Sequence, residues 1–145
     1  MQHSNRYMHT MIRVRDLDES VAFYSQAFGM REFRRIVVAE AEYTLVFMGY
    51  GDKEEDGATL ELTFNWGQTD GYDVGNGFGH IALGVDDVAA VCAHVKTVGG
   101  KVTREAAPVK FGHTVIAFVE DPNGYKVELI QISDALAEIE EYRAR

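Results

Sequence analysis

His9-Thr-Met-Ile-Arg-Val14 and His80-Ile-Ala-Leu-Gly-Val85 are short stretches of alternating character, and the residues directly after each of them decide the fold. The first leads through Asp16-Leu-Asp-Glu19 into a helical pattern with Val21, Tyr24 and Phe28 on one face, and stops at Gly29. The second leads through Asp86-Asp87 into a helical pattern with Val88, Val91, Cys92 and Val95, and stops at Gly99-Gly100. The two stretches are offset by 80 − 9 = 71 residues, and at the same offset Asp16 falls on Asp87 and Gly29 on Gly100. Aspartate accepts hydrogen bonds from the first free amides of a helix, and glycine takes the left-handed conformation that ends one. Start and stop signals thus recur in register with the strands, and the chain is written twice.

Three extended segments come after each helix, at 32–38, 43–50 and 58–65 in the first half and 101–105, 112–120 and 125–132 in the second. The expected class is α+β: two paired β-α-β-β-β modules, over 7–65 and 79–132, forming curved mixed sheets. Asp121-Pro-Asn-Gly124 reads as a tight turn between the last two strands of the second module, and Gly51 to Gly57 as its looser counterpart. The Gly- and Asp-rich stretch from Trp66 to Gly79 links the modules. A terminal helix is expected over 134–144, with Leu136, Ile139 and Tyr142 spaced to pack along one face. The whole of 1–145 is read as one domain.

With 46% hydrophobic and 26% charged residues, the composition is that of a globular chain able to bury a core. No apolar run suits a signal peptide or membrane span, and the lone Cys92 fits a reducing compartment, so a cytoplasmic protein is expected. Cys92 falls on the apolar side of the second helix and reads as a buried thiol. A net charge of −9, without a basic stripe or basic amphipathic helix, argues against nucleic-acid and membrane partners. An anionic ligand would need a local basic cluster.

The last strand of each half carries one acid in an apolar setting: Thr59-Leu-Glu61-Leu-Thr63 and Lys126-Val-Glu128-Leu-Ile130. Strand alternation turns Leu60, Leu62, Val127 and Leu129 to the helices, and Glu61 and Glu128 to the opposite face. The same parity sends His9, Met11 and Arg13 away from the helix, and sets His80 opposite to Ile81 and Leu83. One histidine and one glutamate per half therefore share the concave face, an N2O2 set suited to a borderline divalent ion with open positions for water or substrate. Four ligand-type residues at matched places in a repeat are hard to explain by packing, because a buried unpaired carboxylate costs several kcal/mol. Farther along the same faces lie Arg13, at His9 + 4, and Asn65, at Glu61 + 4. Four strand residues span about 13 Å, the reach from an ion to the far end of a tripeptide-sized ligand. Arg104 and Lys110 flank Pro108 as a further basic pair.

These residues resemble a known family. His9-Thr-Met-Ile-Arg13, Glu61-Leu-Thr-Phe-Asn65-Trp66, Gly79-His80-Ile-Ala-Leu, Thr103-Arg-Glu105, Pro108-Val-Lys110 and Phe118-Val-Glu-Asp-Pro-Asn-Gly-Tyr-Lys-Val-Glu128-Leu look like bacterial glyoxalase I, of the vicinal-oxygen-chelate superfamily, over roughly Tyr7 to Ile132. The resemblance implies that His9, Glu61, His80 and Glu128 bind the metal and that Arg13, Asn65, Arg104 and Lys110 hold glutathione. It implies lactoylglutathione lyase activity, in which the methylglyoxal–glutathione hemithioacetal isomerises to S-lactoylglutathione through a metal-stabilised enediolate. Glu128 is then the base that moves the proton, with Glu61 as its opposite carboxylate. A histidine at the first ligand position and the absence of extra loops are similar to the nickel- or cobalt-activated subgroup, with Zn(II) the lesser alternative. The family also implies a homodimer whose sites lie at the subunit interface. The chain departs from the pattern in a six-residue leader, in Phe111 and His113, and in an acidic tail after Asp134. An extradiol dioxygenase would need a position open where His9 or Glu61 stands, and a bleomycin-binding module would lack the four ligands.

Overall fold

The structure, a computed structural model, describes residues 4–145, so residues 1–3 of the expected leader lie outside the described residues. The chain divides into two compact units, Met1–Asp73 and Val74–Arg145. In the first unit the order is β1 (His9–Arg13), α1 (Leu17–Phe28), β2 (Arg31–Val38), β3 (Tyr43–Gly49) and β4 (Thr59–Asn65). In the second it is β5 (Ile81–Val85), α2 (Val88–Thr97), β6 (Lys101–Pro108), β7 (Val115–Glu120) and β8 (Lys126–Gln131), and then α3 (Ile132–Arg143). The sheets run β1-β4-β3-β2 and β5-β8-β7-β6. In each, the first strand pairs parallel with the last and the other neighbours pair antiparallel. The expected α+β class and strand order within each repeat are the ones found.

Local chemistry places the elements. The side chains of Asp16 and Asp87 accept from the amides of Glu19 and Ala90, capping α1 and α2. Ile12, Val14, Leu60 and Leu62 are buried on one face of their strands beneath Tyr24, Ala27 and Phe28 of α1. Val127 and Leu129 are buried with Val88, Cys92 and Val95 of α2. Each fully buried side chain of this kind stabilises the fold by about 1.5–3 kcal/mol. Val21 and Val91, expected on the buried faces, are half-buried at their margins. Burial raises the pKa of the Cys92 thiol, which accords with a structural role. The Asp121–Gly124 turn forms as expected: Asp121 Oδ1 accepts from the amides of Asn123 and Tyr125 at 2.8 and 2.9 Å.

Four details differ from the sequence reading. The left-handed glycine that ends α2 is Gly99 (φ 81°), not Gly100. The Gly99 amide donates to Lys96 O and the Gly100 amide to Val95 O, so the left-handed glycine after α2 comes one residue sooner than the repeat offset implied. Strand β6 continues past 105 to Pro108, because after an irregularity Ala107 and Pro108 pair with Ile116 and Val115. Strand β7 begins at Val115 instead of 112, the preceding loop holding Phe111 at φ 66°. The terminal helix starts at Ile132 and buries no residue: Leu136, Ile139 and Tyr142 are exposed. It is held instead by polar contacts, with Thr114 Oγ1 donating to Glu138 and the Val115 amide to Asp134.

Gly29 (φ 69°) and Gly99 do the same work, and no heavy atom stands within 4 Å of a Cβ placed at either. The cost of alanine there is the left-handed backbone alone. Gly29→Ala and Gly99→Ala are each expected to lower stability by about 1–2 kcal/mol in urea unfolding. An unaffected Gly99→Ala would place the end of the second helix elsewhere.

Candidate functional site

The register of the parallel strands builds the site in each unit. His9 stands opposite Thr59, so Glu61 lies two residues further on, on the same face. Ala82 stands opposite Glu128, so His80, just before β5, lies two residues back on that face. His9 Nε2 approaches Glu61 Oε1 to 3.1 Å, and His80 Nε2 approaches Glu128 Oε1 to 3.4 Å. Two ligand atoms about 2.1 Å from one ion and at right angles to each other are about 3.0 Å apart, so either pair suits adjacent positions on a divalent ion. The carboxylates are sheltered at 13% and 16% exposure, while the imidazoles remain open at 40% and 43%. Both pairs are thus reachable from solvent. Among the described residues no group of three or more His, Cys, Asp or Glu gathers, and each unit presents one His–Glu pair.

Side chains that the sequence reading passed over hold these pairs. The ring of Phe47 meets His9 edge to face at 5.4 Å, and the ring of Phe118 meets His80 at 5.5 Å. Phe47 is the cross-strand neighbour of Glu61, and Phe118 that of Glu128. Their offset, 118 − 47 = 71, equals that of the histidines, a signal the sequence carried. The glutamates differ. Thr63 Oγ1 donates to Glu61 Oε2 at 2.9 Å and fixes that carboxylate, whereas Ile130 stands two residues after Glu128 and offers no hydroxyl.

The remaining sequence-derived residues fall around the pairs unevenly. Arg13 ends β1 opposite Thr63. Asn65 ends β4 and donates from Nδ2 to the Tyr72 hydroxyl at 3.1 Å, which places Tyr72 in the linker as its support. Arg104 lies on β6, opposite Phe118, and shares a pocket with His80 and Lys126. Three of its hydrogen bonds go to the carbonyls of Ala107, Ile116 and Pro108, so part of the guanidinium serves the irregular strand. Lys110 is exposed in the loop after β6, its ammonium 5.2 Å from the centre of the Phe111 ring. On the other side of Glu128 an apolar groove of about 570 Å³ runs between the sheet and α3, lined by Ile116, Ile130, Ile139 and Tyr142.

Comparison with known proteins shows the family. Residues 6–129 match the Glyoxalase/Bleomycin resistance protein/Dioxygenase superfamily. A probable lactoylglutathione lyase of Vibrio parahaemolyticus is 56% identical over 94% of this chain and 98% of its own. The lactoylglutathione lyase of Salmonella typhimurium is 54% identical over 90% and 95%. Among solved structures, glyoxalase I from Zea mays superposes with a TM-score of 0.83 at 48% identity over 87% of this chain, which spans 44% of the maize chain. The trypanothione-dependent glyoxalase I of Leishmania major gives 0.82 at 40% identity, over 98% of this chain and all of that one. The chain belongs to the Glyoxalase/Bleomycin resistance protein/Dioxygenase superfamily, within its glyoxalase I branch.

Proposed function

We propose that this chain is a lactoylglutathione lyase that converts the hemithioacetal of methylglyoxal and glutathione to S-lactoylglutathione, detoxifying methylglyoxal in the cytoplasm. The observation that carries the reading is the His–Glu pair found at the same register position in both units, at the separation of neighbouring metal ligands. The two units act as one functional domain over 1–145. His9, Glu61, His80 and Glu128 hold one divalent ion per site, Ni(II) or Co(II) in preference to Zn(II), since an N2O2 set with open positions favours octahedral coordination. Bound there, the ion would draw electron density from the carbonyl and hydroxyl oxygens of the substrate and so acidify the carbon that bears sulfur.

The protein's own residues then divide the work. Glu128 takes the proton from that carbon and returns it to the neighbouring carbon, a task that suits a carboxylate without a second fixed hydrogen bond. Glu61, pinned by Thr63, stays in place on the opposite side. Phe47 and Phe118 hold the imidazole planes. Arg13, Asn65, Arg104 and Lys110 bind the glutathione part, and the apolar groove beside Glu128 receives the methyl end. Because each unit supplies two ligands, a complete site needs a first unit and a second unit together. We place it at a homodimer interface, where the first unit of one subunit faces the second unit of its partner.

Metal-stripped protein mixed with methylglyoxal and glutathione is expected to give no thioester absorbance in the ultraviolet. Ni²⁺ or Co²⁺ should restore most of the rate and Zn²⁺ little; highest activity with Zn²⁺ would refute the metal assignment. Glu128→Gln is expected to reduce kcat by about 10²–10⁴-fold in folded protein. Arg13→Ala should instead act mainly through KM, as loss of a remote contact does. Near-normal turnover in Glu128→Gln would remove the base from its role. For the interface, one variant lacks His9 and Glu61 and another lacks His80 and Glu128, and each alone is dead. Co-refolded, half of the dimers are mixed and each has one whole site, so roughly a quarter of wild-type activity should return. Mixed dimers without activity would place the site within one subunit.

A further inference from the structure

The repeat extends beyond the ligands to a pocket beside each histidine. In the first unit it is lined by His9, Arg34, Phe47, Glu54 and Thr59 and has a volume of about 90 Å³. In the second it is lined by His80, Arg104, Phe118, Glu120 and Lys126 and has a volume of about 530 Å³. The correspondence is residue by residue: Arg34 faces Phe47 across β2 and β3, as Arg104 faces Phe118 across β6 and β7. A register shift precedes both arginines, between Glu32 and Arg34 and between Val102 and Arg104. A bulge of this kind re-aims the side chain that comes after it.

The two pockets differ in what fills them. In the first unit both carboxylate oxygens of Glu54 accept from Arg34 Nε, at 3.0 and 3.1 Å, while the guanidinium lies 4.2 Å from the centre of the Phe47 ring. Glu54 is delivered by the long connection 50–58, whose short 3-10 turn over Glu54–Asp56 is tied down by Arg6 Nη1 donating to the Glu55 carbonyl. The second unit has the tight turn 121–125 in its place, where the Asp121 carboxylate accepts from the amides of Asn123 and Tyr125 within the turn. Among the described residues neither Arg104 nor Lys126 has a carboxylate partner, and Glu120 of that pocket pairs with Lys101 at 3.7 Å.

We propose that Glu54 is an internal stand-in for a substrate carboxylate. It fills the anion pocket of the first unit and leaves the equivalent pocket beside His80 to the glutathione carboxylate, so that substrate enters in one orientation. The inference rests on the proposed function, in which a His–Glu pair from each unit shares one ion. A duplicated site offers a ligand two related ways to dock, and only one brings the reacting carbon to the unpinned Glu128. Elsewhere the halves are made unlike by substitution: Gly84 and Ile132 occupy the places of Arg13 and Asn65. At Arg34 the cation is kept and neutralised from within. A carboxylate on the same chain, held beside its partner at high effective concentration, outcompetes a free ligand.

The test is the steady-state kinetics of Glu54→Ala on a protein whose wild type is active with methylglyoxal and glutathione; inactivity of the wild type would count against the functional reading instead. Docking in the wrong orientation ties up enzyme without reaction. Glu54→Ala is therefore expected to lower kcat and KM together, each by about three- to ten-fold, with kcat/KM unchanged. Arg34→Ala added to Glu54→Ala should return both constants to wild-type values. Calorimetric titration with S-methylglutathione, an unreactive probe, should show tighter binding to Glu54→Ala than to wild type, and the double variant should lose the gain. A fall in kcat/KM would make Glu54 a support of the productive site, and unchanged constants and affinity would show that the opened pocket takes no substrate. Either result overturns the proposal.

Discussion

The parallel pairing of the first and last strands in each unit is the constraint on which the rest depends. Side chains alternate with a period of two, so His9 and Glu61 share a face only because the pairing sets His9 opposite Thr59, two residues from the glutamate. A slip of one residue would send Glu61 into the core and Leu62 to the surface. Leu62 is fully buried, as are Val127 and Leu129 beside Glu128, so the apolar residues that flank each acid hold the register of the His–Glu pair. Core packing and site geometry are in this sense one specification.

The duplication supplies symmetry, and the chemistry needs it broken. Two identical carboxylates around one substrate would compete for the same proton. Here one is pinned by a hydroxyl at Thr63 and the other has a methyl-bearing neighbour at Ile130. That difference sits two residues from each glutamate, at the same parity, and leaves Glu128 without the hydroxyl contact that Glu61 has. The connection before β4 and the turn before β8 extend the asymmetry outward: the longer one carries Glu54 back to Arg34, and the shorter one leaves Arg104 and Lys126 facing open space.

Much of this was legible in the sequence because the strongest signals are periodic. Asp16 and Asp87 cap helices, the apolar–polar alternation of Thr59–Thr63 and Lys126–Ile130 sets the faces, and the repeat ties one half to the other. What was missed lies where period and offset fail. Helix α2 is shorter than α1, so the glycine pair shifted the stop from Gly100 to Gly99, and the offset at the arginines became 104 − 34 = 70. Arg34 was therefore not seen as the counterpart of Arg104. Phe47 and Phe118 keep the offset of the histidines, but their edge-to-face contact depends on ring orientation, which alternation does not encode. The apolar positions of α3 have helical spacing, yet the contacts that hold it are the acids Asp134 and Glu138, and spacing alone carries no information about what a face meets.

The proposed division of the site between two units also has an electrostatic logic. Two carboxylates brought within one coordination sphere would repel each other. Each unit carries a single Glu beside a single imidazole, so that repulsion is absent within either one. The repulsion arises only when the second pair arrives, and a divalent ion removes it at the same step. Metal binding and assembly of the proposed dimer are thus coupled through the same four side chains: the ion favours the assembled state that supplies all its ligands, and assembly favours the ion that neutralises them.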